Sequence, residues 1–564
     1  MLSEDLRSRA EAWIADDPDE RDRAELAGLL ADDSPDAAAE LADRFAGRLA
    51  FGTAGLRSAV GAGPNRMNRA TVTAATAALA SWLLGRDPRA ASAGVVVGCD
   101  ARHRSEEFAD QTARVLAGAG LRVYLLPSRQ PTPVLAFAVR HLQAAAGVMI
   151  TASHNPPGDN GYKVYLGDGA QIVPPADIEI ETAITELGPL AAIAVAGPDD
   201  PLISRPGDDV AQAYLDAVCA ELGPAPASAA WLRLVYTPLH GVAGQLALRA
   251  LEQAGYAPPD VVRAQLDPDP DFPTVRFPNP EEPGALDLAM AQARRSGADL
   301  VIANDPDGDR LAVAIPDPDA PGGYRQLTGD QVGALLGSFV LGRLAGVPSV
   351  VMSEQLVVST VVSGSLLSEL AAAAGAQHAQ TLTGFKWIVR AADLREGIHF
   401  AYGYEEALGY AITGAVRDKD GISAALAVLS LAASARSAGE SLQDLYDRLE
   451  QRHGVHLTGQ LSVLTDAAVD IMARLRATPP ADLAGQPVMT ATDYTGGWDL
   501  PSADMLGYQL PGARVVIRPS GTEPKIKAYL EVVELVTGRA LASARQLAEE
   551  RMSRLRAAVA ELLS

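Results

Sequence analysis

The stretch LRLVYTPLHGVAGQLALRALEQAG, from Leu232 to Gly255, has the pattern of a buried strand, a polar loop and a helix that ends at a glycine. The pattern recurs where GVVVGCD (Gly94 to Asp100) precedes a helical segment from Ser105 to Gly120, which we expect Ser105 to cap. It appears again from Gly297 to Ile315, as two strands around the polar loop NDPDGDR. Strands that alternate with helices predict an α/β fold with mostly parallel sheets, covered on both faces.

The length of the chain and its linker-like stretches indicate several domains. At about 150 residues per domain, 564 residues correspond to three or four domains. Stretches rich in Pro, Gly and Asp at 197–208 and 316–323 are typical of linkers. The predicted segments are an acidic N-terminal helical extension (1–45), three related mixed α/β units, namely domain I (46–205), domain II (206–320) and domain III (321–455), and a smaller C-terminal α+β domain IV (456–564).

The charge and cysteine content exclude several classes of function. A formal net charge of −23 argues against a nucleic-acid partner and against an anionic membrane surface. Two cysteines, Cys99 and Cys219, are too few for a disulfide framework or a four-thiolate zinc site. The acidic N-terminus lacks the pattern of a signal peptide, and no apolar stretch is long enough to span a bilayer. We expect a cytoplasmic protein that acts on a small molecule.

The loop TASHNP, residues 151–156, follows the apolar strand AAGVMI and carries a candidate nucleophile. Ser153 at a strand end is flanked by His154, and Lys163 follows shortly in NGYKVY, where it could supply charge or move a proton. An ordinary Ser/Asn turn is the alternative. A serine hydrolase is disfavoured because there is no G-x-S-x-G elbow and adjacent Ser and His do not easily form a triad.

The loop NDPDGDR, residues 304–310, carries candidate metal ligands. Asp305, Asp307 and Asp309 alternate between two apolar strands, and three carboxylates would repel one another there without a cation. An Asp-Pro-Asp-Gly turn without metal is the alternative. The similar stretch DPDPDF, from Asp267 to Phe272, follows no comparable strand and is interpreted as a turn.

Five further stretches, in three regions of the chain, are candidate substrate-binding loops. TGFKWI (383–388), GYEEALGY (403–410) and RDKDG (417–421) combine carboxylates suited to sugar hydroxyls with Lys386 and Lys419 for a phosphate, although an ordinary loop is the alternative for each. RPSGTEPK (518–525) combines an arginine with hydroxyls and backbone N–H groups, which suits an anion, although a plain hairpin turn is the alternative. FGTAGLR (51–57) is a Gly-rich loop that lacks the Lys-Ser/Thr of a P-loop.

With GTAGLR, TASHNP, DPDGDR, EEALG and RPSGTEPK in this order, the sequence resembles the α-D-phosphohexomutase superfamily of phosphoglucomutases and phosphomannomutases. The resemblance runs from about Phe51 to Val533 and implies four domains around a central cleft. It implies that Ser153 carries the phosphoryl group, and that His154 and Lys163 assist proton transfer. The implied Mg²⁺ ligands are Ser153, Asp305, Asp307 and Asp309. The predicted substrate-binding residues are Arg57, Arg310, Thr383, Gly384, Glu405, Ala407, Lys419, Arg518, Ser520, Gly521 and Thr522.

The implied reaction interconverts a sugar 1-phosphate and 6-phosphate through a phosphoserine and a sugar bisphosphate, with sugar 1,6-bisphosphate as activator. Family members that act on hexoses commonly read G-E-x-S, whereas Ala407 replaces that serine here, as in the phosphopentomutase-like branch. Glucose phosphate is our first expectation, followed by mannose and pentose phosphates. The alternatives are a phosphopentomutase, a glucose-1,6-bisphosphate synthase, a phosphatase or a non-catalytic sensor. We expect sugar phosphates as partners, without nucleic acid or membrane, and a monomer or homodimer.

Overall fold

A computed structural model describes residues 2–52, 55–497, 501–520 and 525–564. The chain forms two compact units. The first comprises Met1–Gln326 together with Thr413–Leu426, and the second comprises Leu327–Ile412 together with Ala427–Ser564. The segment 413–426 therefore belongs to the first unit although it lies inside the sequence of the second.

The first unit begins with three helices and a mixed sheet. The strands of this sheet lie in the order β1-β5-β4-β2-β3-β6, and the helix-linked strands at its centre are parallel. Strand β5 pairs antiparallel with both β4 and β1. The elements are α1 (Glu4–Asp16), α2 (Glu20–Ala31), α3 (Pro35–Arg44), β1 (Leu56–Ala59), α4 (Arg69–Arg86), α5 (Ala90–Ala93), β2 (Val95–Cys99), α6 (Ser105–Gly118), β3 (Val123–Leu125), α7 (Thr132–His141), β4 (Ala146–Ile150), β5 (Asp159–Leu166), α8 (Ala176–Thr185) and β6 (Ile203–Ser204).

Both faces of this sheet are covered, because its central strands are apolar at every position. In β2, Val95 and Val97 belong to the large core that also includes residues of α4, α6 and α8. Gly98 faces the other side, where an added Cβ would lie 3.1 Å from Leu135 of α7. This two-sided burial is what a continuous apolar strand predicts, and it leaves the carboxyl ends of β2 and β4 to carry polar loops.

The second sheet of the first unit has the order β11-β10-β9-β7-β8, with β8, β7 and β9 parallel and β10 antiparallel to both neighbours. Gly241 lets the loop after β7 approach the β9–β10 loop, since a Cβ there would lie 2.4 Å from Pro306 Cα. The elements are α9 (Asp209–Leu222), β7 (Leu234–Thr237), α10 (Ala243–Ala254), β8 (Asp260–Val261), α11 (Asp287–Ser296), β9 (Leu300–Asn304), β10 (Leu311–Pro316) and β11 (Tyr324–Gln326).

The third sheet, in the second unit, has the order β13-β12-β14-β15, with one antiparallel pair at its β15 edge. Strand β12 is buried along its length after Gln355. The elements from this part of the chain are α12 (Gly329–Arg343), α13 (Ser349–Ser353), β12 (Gln355–Thr360), α14 (Leu366–Ala374), β13 (Gln377–Thr381), α15 (Phe385–Ile388), β14 (His399–Glu405), β15 (Gly409–Ala411), α16 (Gly421–Ser437) and α17 (Leu442–His453).

The fourth sheet is antiparallel, in the order β16-β22-β21-β20-β19, and its core includes apolar residues of the last helix, among them Ala544 and Val559. The elements are β16 (Val455–Leu464), α18 (Ala468–Ala477), β17 (Asp482–Leu483), β18 (Gln486–Pro487), β19 (Thr490–Asp493), β20 (Leu506–Leu510), β21 (Ala513–Pro519), β22 (Lys525–Glu534) and α19 (Leu541–Leu563). This is the predicted α+β region, and the α/β class predicted for the preceding sheets is confirmed.

The three α/β sheets are mixed, as the predicted units were. Most of their strand pairs are parallel, but β5 and β10 return antiparallel beside the strands that carry the polar loops. One sequence expectation needs correction. Ser105 does not cap its helix. It lies inside α6, whose N-cap position is Arg104, and its hydroxyl donates instead to Asp100 Oδ1 at 2.7 Å.

Among the described residues, no single helix has the length and apolarity needed to cross a membrane. The pair Gly421–Ser437 and Leu442–His453, bent by 89°, meets that test only when the two helices are taken together.

Candidate active site

Ser153 lies in the loop between β4 and β5, with its backbone in the left-handed region at φ +53°. Its amide donates to Thr151 Oγ1 at 2.9 Å. Its hydroxyl lies 3.2 Å from His154 Nδ1 and donates to Asp305 Oδ2 at 3.1 Å. Residues other than glycine rarely adopt this conformation, and those that do are concentrated at functional sites. The backbone geometry thus holds a buried hydroxyl against a carboxylate.

That carboxylate belongs to a buried triad formed by Asp305, Asp307 and Asp309 in the loop between β9 and β10. One oxygen from each residue lies within 4.8 Å of the others. Asp307 Oδ1 and Asp309 Oδ1 are buried without a hydrogen-bond partner. Buried oxygens without partners are costly, and hard divalent cations bind carboxylate oxygens. The triad therefore fits a hard divalent cation.

Two lysines contact the triad directly. Lys163 of β5 places Nζ 2.7 Å from Asp307 Oδ2 and 3.3 Å from Asp309 Oδ2. Lys419, in the 413–426 segment, places Nζ 3.4 Å from Asp309 Oδ2. Both lysines are buried. Their charges offset part of the negative charge that the three carboxylates concentrate in one place.

Two arginines complete the basic side of the site. Arg310 Nε lies 3.8 Å from Asp305 Oδ2. Arg57 of β1 donates from Nη1 to Asn155 Oδ1 at 3.1 Å, two residues beyond Ser153. The first unit therefore brings together nine of the predicted residues, which are Arg57, Ser153, His154, Lys163, Asp305, Asp307, Asp309, Arg310 and Lys419.

The surroundings shift the pKa values of Asp305 and Asp307 in opposite directions. Burial, reinforced by the neighbouring carboxylates, raises the pKa of Asp305 well above its usual range. Burial acts on Asp307 too, but the Lys163 ammonium and hydrogen bonds from Lys163 and Thr132 outweigh it and lower the pKa of Asp307. Burial would lower the pKa of Lys163, yet the carboxylates beside it raise that pKa. Lys163 is therefore a cation in this setting.

The imidazole beside the serine is neutral. Burial, followed by the positive charges of Arg310 and Arg57, lowers the pKa of His154 well below its usual value. A neutral imidazole 3.2 Å from the Ser153 hydroxyl can accept a proton. The site thus offers a hydroxyl, a neutral base, an acidic triad and an ammonium group in one place.

Two residues of this site were not predicted from the sequence. Thr132, at the start of α7, donates from Oγ1 to Asp307 Oδ2 at 2.7 Å and from its amide to the Asp307 carbonyl at 2.9 Å. Asp418 accepts from Tyr165 and Gln171, each at 2.8 Å, and lies beside Lys419. The only sequence signals were a Pro-Thr-Pro helix start after a short strand and a second carboxylate in RDKDG.

The predicted sugar-recognition residues lie at the carboxyl edge of the third sheet. Strand β14 ends at Glu405, and strand β13 ends at Thr381, two residues before Thr383. The two strands run parallel on either side of β12, so both loops leave the same edge of the sheet. Glu405 and Ala407 are half-buried. The next residue, Glu406, had not been singled out. Its carboxylate accepts from Thr360 at 3.1 Å and from Ser363 at 3.0 Å, which anchors the turn.

The predicted phosphate-binding residues lie at the tip of the β21–β22 hairpin. Arg518 donates from Nη2 to the Tyr529 hydroxyl at 3.1 Å, and its Nε is buried without a hydrogen-bond partner. Ser520 donates its amide to the Lys525 carbonyl at 2.8 Å. Arg518 lies opposite Lys527 in the strand register, and two cations facing each other favour an anion between them. Gly521 and Thr522 lie outside the described residues.

The β21–β22 hairpin is hydrogen-bonded to the segment after β12 that also contacts Glu406. Arg514, four residues before Arg518, donates to the Val361 carbonyl at 3.1 Å and also to the Ser363 carbonyl. Within the second unit, the end of β12 therefore contacts both the sugar-recognition turn and the strand that leads to Arg518.

The carboxyl of Glu406 should make the stability of the folded protein depend on pH. Burial, followed by the charges of Glu405 and Asp330, raises the pKa of Glu406 from 4.5 to about 7. The folded protein thus binds this proton more tightly than the unfolded chain, and stability is lost as the pH rises from about 4.5 to about 7. Between about pH 5 and about pH 8, the free energy of unfolding in urea should fall by about 1–3 kcal/mol less in Glu406→Gln than in the wild type.

Glu549→Gln is the matched control, because Glu549 is exposed on α19. It should leave the pH dependence of the wild type unchanged. An unaltered pH dependence in Glu406→Gln would contradict the assignment to this carboxyl.

Comparison with known proteins places the chain in a family. Family models match all four regions, described as phosphoglucomutase/phosphomannomutase alpha/beta/alpha domain I (residues 48–189), domain II (212–319), domain III (328–453) and C-terminal domain (472–545). A probable phosphomannomutase of Haemophilus influenzae is 42% identical over 473 residues, covering 82% of this chain and 93% of its own.

The chain belongs to the phosphoglucomutase/phosphomannomutase family. A probable phosphoribomutase of Schizosaccharomyces pombe is 37% identical over 558 residues, covering 93% of each chain. The crystal structure of a phosphoglucomutase/phosphomannomutase family protein from Burkholderia thailandensis superposes with a TM-score of 0.65 over 89% of this chain and 96% of its own, at 22% identity, which supports the fold. As a member of the α-D-phosphohexomutase superfamily, the protein is a phosphosugar mutase, an isomerase that acts by intramolecular phosphotransfer.

Proposed function

We propose that this phosphosugar mutase interconverts a sugar 1-phosphate and a sugar 6-phosphate through phosphorylated Ser153. The observation that carries the proposal is the Ser153 hydroxyl, held 3.1 Å from Asp305 beside a triad with two buried oxygens that lack hydrogen-bond partners. A hydroxyl and a cation-binding triad at this separation suit phosphoryl transfer.

Asp305, Asp307 and Asp309, together with Ser153 Oγ, are the residues that would hold Mg²⁺. Mg²⁺ bound there would neutralise charge on the oxygens of a transferring phosphoryl group. Thr132 and Lys163 both donate to Asp307 Oδ2, at 2.7 Å each, which orients that carboxylate and leaves Oδ1 for a cation. Loss of such outer contacts typically costs about 10- to 100-fold in metal affinity or activity.

In the first half-reaction, the bond between phosphorus and Ser153 Oγ breaks while a sugar hydroxyl oxygen bonds to phosphorus. The proton that the hydroxyl loses passes to a base of the site and then to Ser153 Oγ, so the serine ends neutral. His154 Nδ1 lies 3.2 Å from that oxygen, so the imidazole is placed to return the proton to it, and its lowered pKa favours that release. Lys163 keeps its charge and stabilises the negative charge that develops. The second half-reaction reverses these steps with the other phosphate of the bisphosphate.

We propose that Thr383, Gly384, Glu405 and Ala407 contact the sugar, and that Arg518, Ser520, Gly521 and Thr522 bind its phosphate. Arg57, Arg310 and Lys419 would contribute positive charge near Ser153. Because either phosphate of the bisphosphate must bind in turn, the phosphate loop should recognise phosphate more strictly than sugar. A sugar 1,6-bisphosphate would be needed to phosphorylate Ser153 initially.

Glucose phosphate is our first choice of substrate, followed by mannose phosphate. The family's description covers both phosphoglucomutases and phosphomannomutases, and the relative named as a probable phosphomannomutase supports mannose phosphate as a substrate. The second candidate is a pentose phosphate, favoured by Ala407, which lacks a hydroxyl worth about 0.5–1.5 kcal/mol in sugar binding, and by the relative named as a phosphoribomutase. Synthesis of glucose 1,6-bisphosphate by the same serine is the remaining alternative.

Phosphorus NMR tests the proposal and ranks the substrates. Glucose 1-phosphate is incubated with the enzyme, Mg²⁺ and a trace of glucose 1,6-bisphosphate, and the experiment is repeated with mannose and ribose 1-phosphates. Growth of the corresponding 6-phosphate or 5-phosphate signal identifies the mutase and its preferred sugar. Release of inorganic phosphate alone would identify a phosphatase and contradict the proposal.

Arg518→Ala should raise KM by about tenfold or more for glucose, mannose and pentose phosphates alike, because a charged hydrogen bond to phosphate is lost. Steady-state kinetics on the three substrates measures this effect. Arg539→Ala is the control, since Arg539 is a more exposed arginine of the same sheet region that lies 3.8 Å from Glu534. A KM that rises for one sugar only would assign Arg518 to sugar recognition instead.

A further inference from the structure

The loop that carries Ser153 has no regular secondary structure, and several of its carbonyl groups accept hydrogen bonds from a single side chain. Arg102, in the segment after β2, donates from Nη2 to the carbonyls of Ser153 at 2.6 Å and Asn155 at 2.7 Å. Its Nη1 donates to the carbonyls of Pro156 at 2.8 Å and Asp159 at 3.2 Å. One guanidinium therefore binds three carbonyls between β4 and β5, including that of Ser153 itself, and the carbonyl of Asp159 at the start of β5.

The Arg102 side chain is held in place by Asp100 and Phe272. Its Nε lies 3.3 Å from Asp100 Oδ2, and both side chains are 1% exposed. Asp100 Oδ1 accepts from the Arg102 amide at 3.0 Å and from the Ser105 hydroxyl at 2.7 Å. The Arg102 guanidinium also lies 5.2 Å from the Phe272 ring centroid. The Arg102 guanidinium therefore has little freedom to reorient.

We propose that Arg102 is a positioning residue for phosphoryl transfer, which holds Ser153 in its left-handed conformation with the hydroxyl directed at Asp305. This inference rests on the proposed function, because it needs Ser153 as the phosphoryl carrier. A non-glycine residue at φ +53° costs about 1–3 kcal/mol, so it persists only where its surroundings fix it. The hydrogen bond to the Ser153 carbonyl fixes the peptide plane that follows the serine, which sets the direction of its side chain.

The position of Arg102 separates this role from substrate binding. Arg102 is buried, and each described hydrogen bond from its guanidinium goes to a backbone carbonyl of the serine loop or of Asp159 beside it. Loss of its donor geometry should therefore misplace the reacting oxygen without removing a contact to the sugar or its phosphate. A displacement of about 1 Å at the reacting atom costs about 10²-fold in rate.

The test compares Arg102→Lys with Arg104→Lys. A lysine keeps the charge at residue 102 but cannot bind four carbonyls at once. Arg104 is a half-buried arginine two residues away, and it pairs with Asp19, Asp22 and Glu107 rather than with the serine loop. We expect Arg102→Lys to lower kcat by about 10²-fold with KM within about threefold of wild type, whereas Arg104→Lys should lower the melting temperature and keep kcat.

The phosphorus NMR signal of the phosphorylated enzyme provides a second measurement. In Arg102→Lys we expect the phosphoserine resonance to broaden or move toward that of free phosphoserine, while in Arg104→Lys it stays at the wild-type position. Wild-type kcat and an unchanged resonance in Arg102→Lys would overturn the inference. If Arg102→Lys does not fold, Asp100→Asn replaces it, since that change keeps the guanidinium and removes the carboxylate that orients it, and the same two outcomes decide.

The variant Ser153→Ala separates this inference from the proposed function. If Ser153→Ala abolishes turnover while Arg102→Lys remains fully active, only the role of Arg102 is wrong. If Ser153→Ala remains active, the phosphoserine mechanism fails, whatever the result with Arg102→Lys.

Discussion

Ser153→Ala should lower kcat by about 10³-fold or more, because it removes the hydroxyl proposed to carry the phosphoryl group, and the Thr132 hydroxyl at the same triad is fully buried against Asp307 Oδ2. The expected loss is in kcat rather than in KM, since the hydroxyl forms its bond to phosphorus only during the reaction. The measurement is mutase turnover under saturating sugar phosphate and bisphosphate. Intact-mass spectrometry after incubation with glucose 1,6-bisphosphate should show one added phosphoryl group in the wild type and none in the variant.

Ser359→Ala is the matched control for this variant. Ser359 is a fully buried serine of β12 whose hydroxyl lies 3.0 Å from His378 Nε2. Removing it deletes a comparable buried hydroxyl elsewhere in the fold and should leave kcat unchanged. Turnover of Ser153→Ala within about tenfold of wild type would exclude a phosphoserine intermediate.

Asp307→Asn raises the Mg²⁺ concentration for half-maximal activity by about tenfold or more, because one anionic oxygen of the triad is replaced by an amide. Its kcat should fall as well, since the transferring phosphoryl group loses part of its charge neutralisation. A readout without turnover is the stabilisation of the folded protein by Mg²⁺. The wild-type melting temperature should rise with Mg²⁺, and that of the variant should respond much less at the same concentrations.

Asp269→Asn is the control for metal binding. It lies in DPDPDF, whose composition resembles that of the triad loop, and it forms a turn in which Asp269 accepts from the Asp271 amide at 2.9 Å. Its Mg²⁺ titration should match that of the wild type. Identical titrations for Asp307→Asn and wild type would show that the cation binds elsewhere.

The parts of the fold that sequence predicts well are those with local causes. From Leu232 to Gly255 the apolar run, the polar loop and the final glycine each specify structure within a few residues, and the observed strand and helix follow them. Gly255 adopts a left-handed conformation at the helix end, as a C-terminal glycine does. Asp305, Asp307 and Asp309 are brought together in the same way, by one short loop between two paired strands.

The residues that sequence missed act across long separations. Arg102 and Ser153 are 51 positions apart, and Thr132 and Asp307 are 175 apart. Nothing local distinguishes Arg102 from Arg104, which contacts other helices. Glu405 and Glu406 are adjacent and chemically identical, and only the fold shows that Thr360 and Ser363 bind the second. Ser105 was wrongly expected to cap its helix because the competing partner, Asp100, is specified by the preceding strand.

The assignment of residues 413–426 to the first unit has a consequence for synthesis of the chain on the ribosome. Asp418 binds Tyr165 and Gln171, Asp420 binds Tyr214 at 2.8 Å, and Lys419 contacts Asp309. These partners emerge long before the segment that completes them, and all of β12 to β15 is translated in between. Since domains begin to fold as they emerge, a nascent chain that stops before residue 413 carries Ser153 and the triad but leaves Tyr165, Gln171, Tyr214 and Asp309 without these contacts.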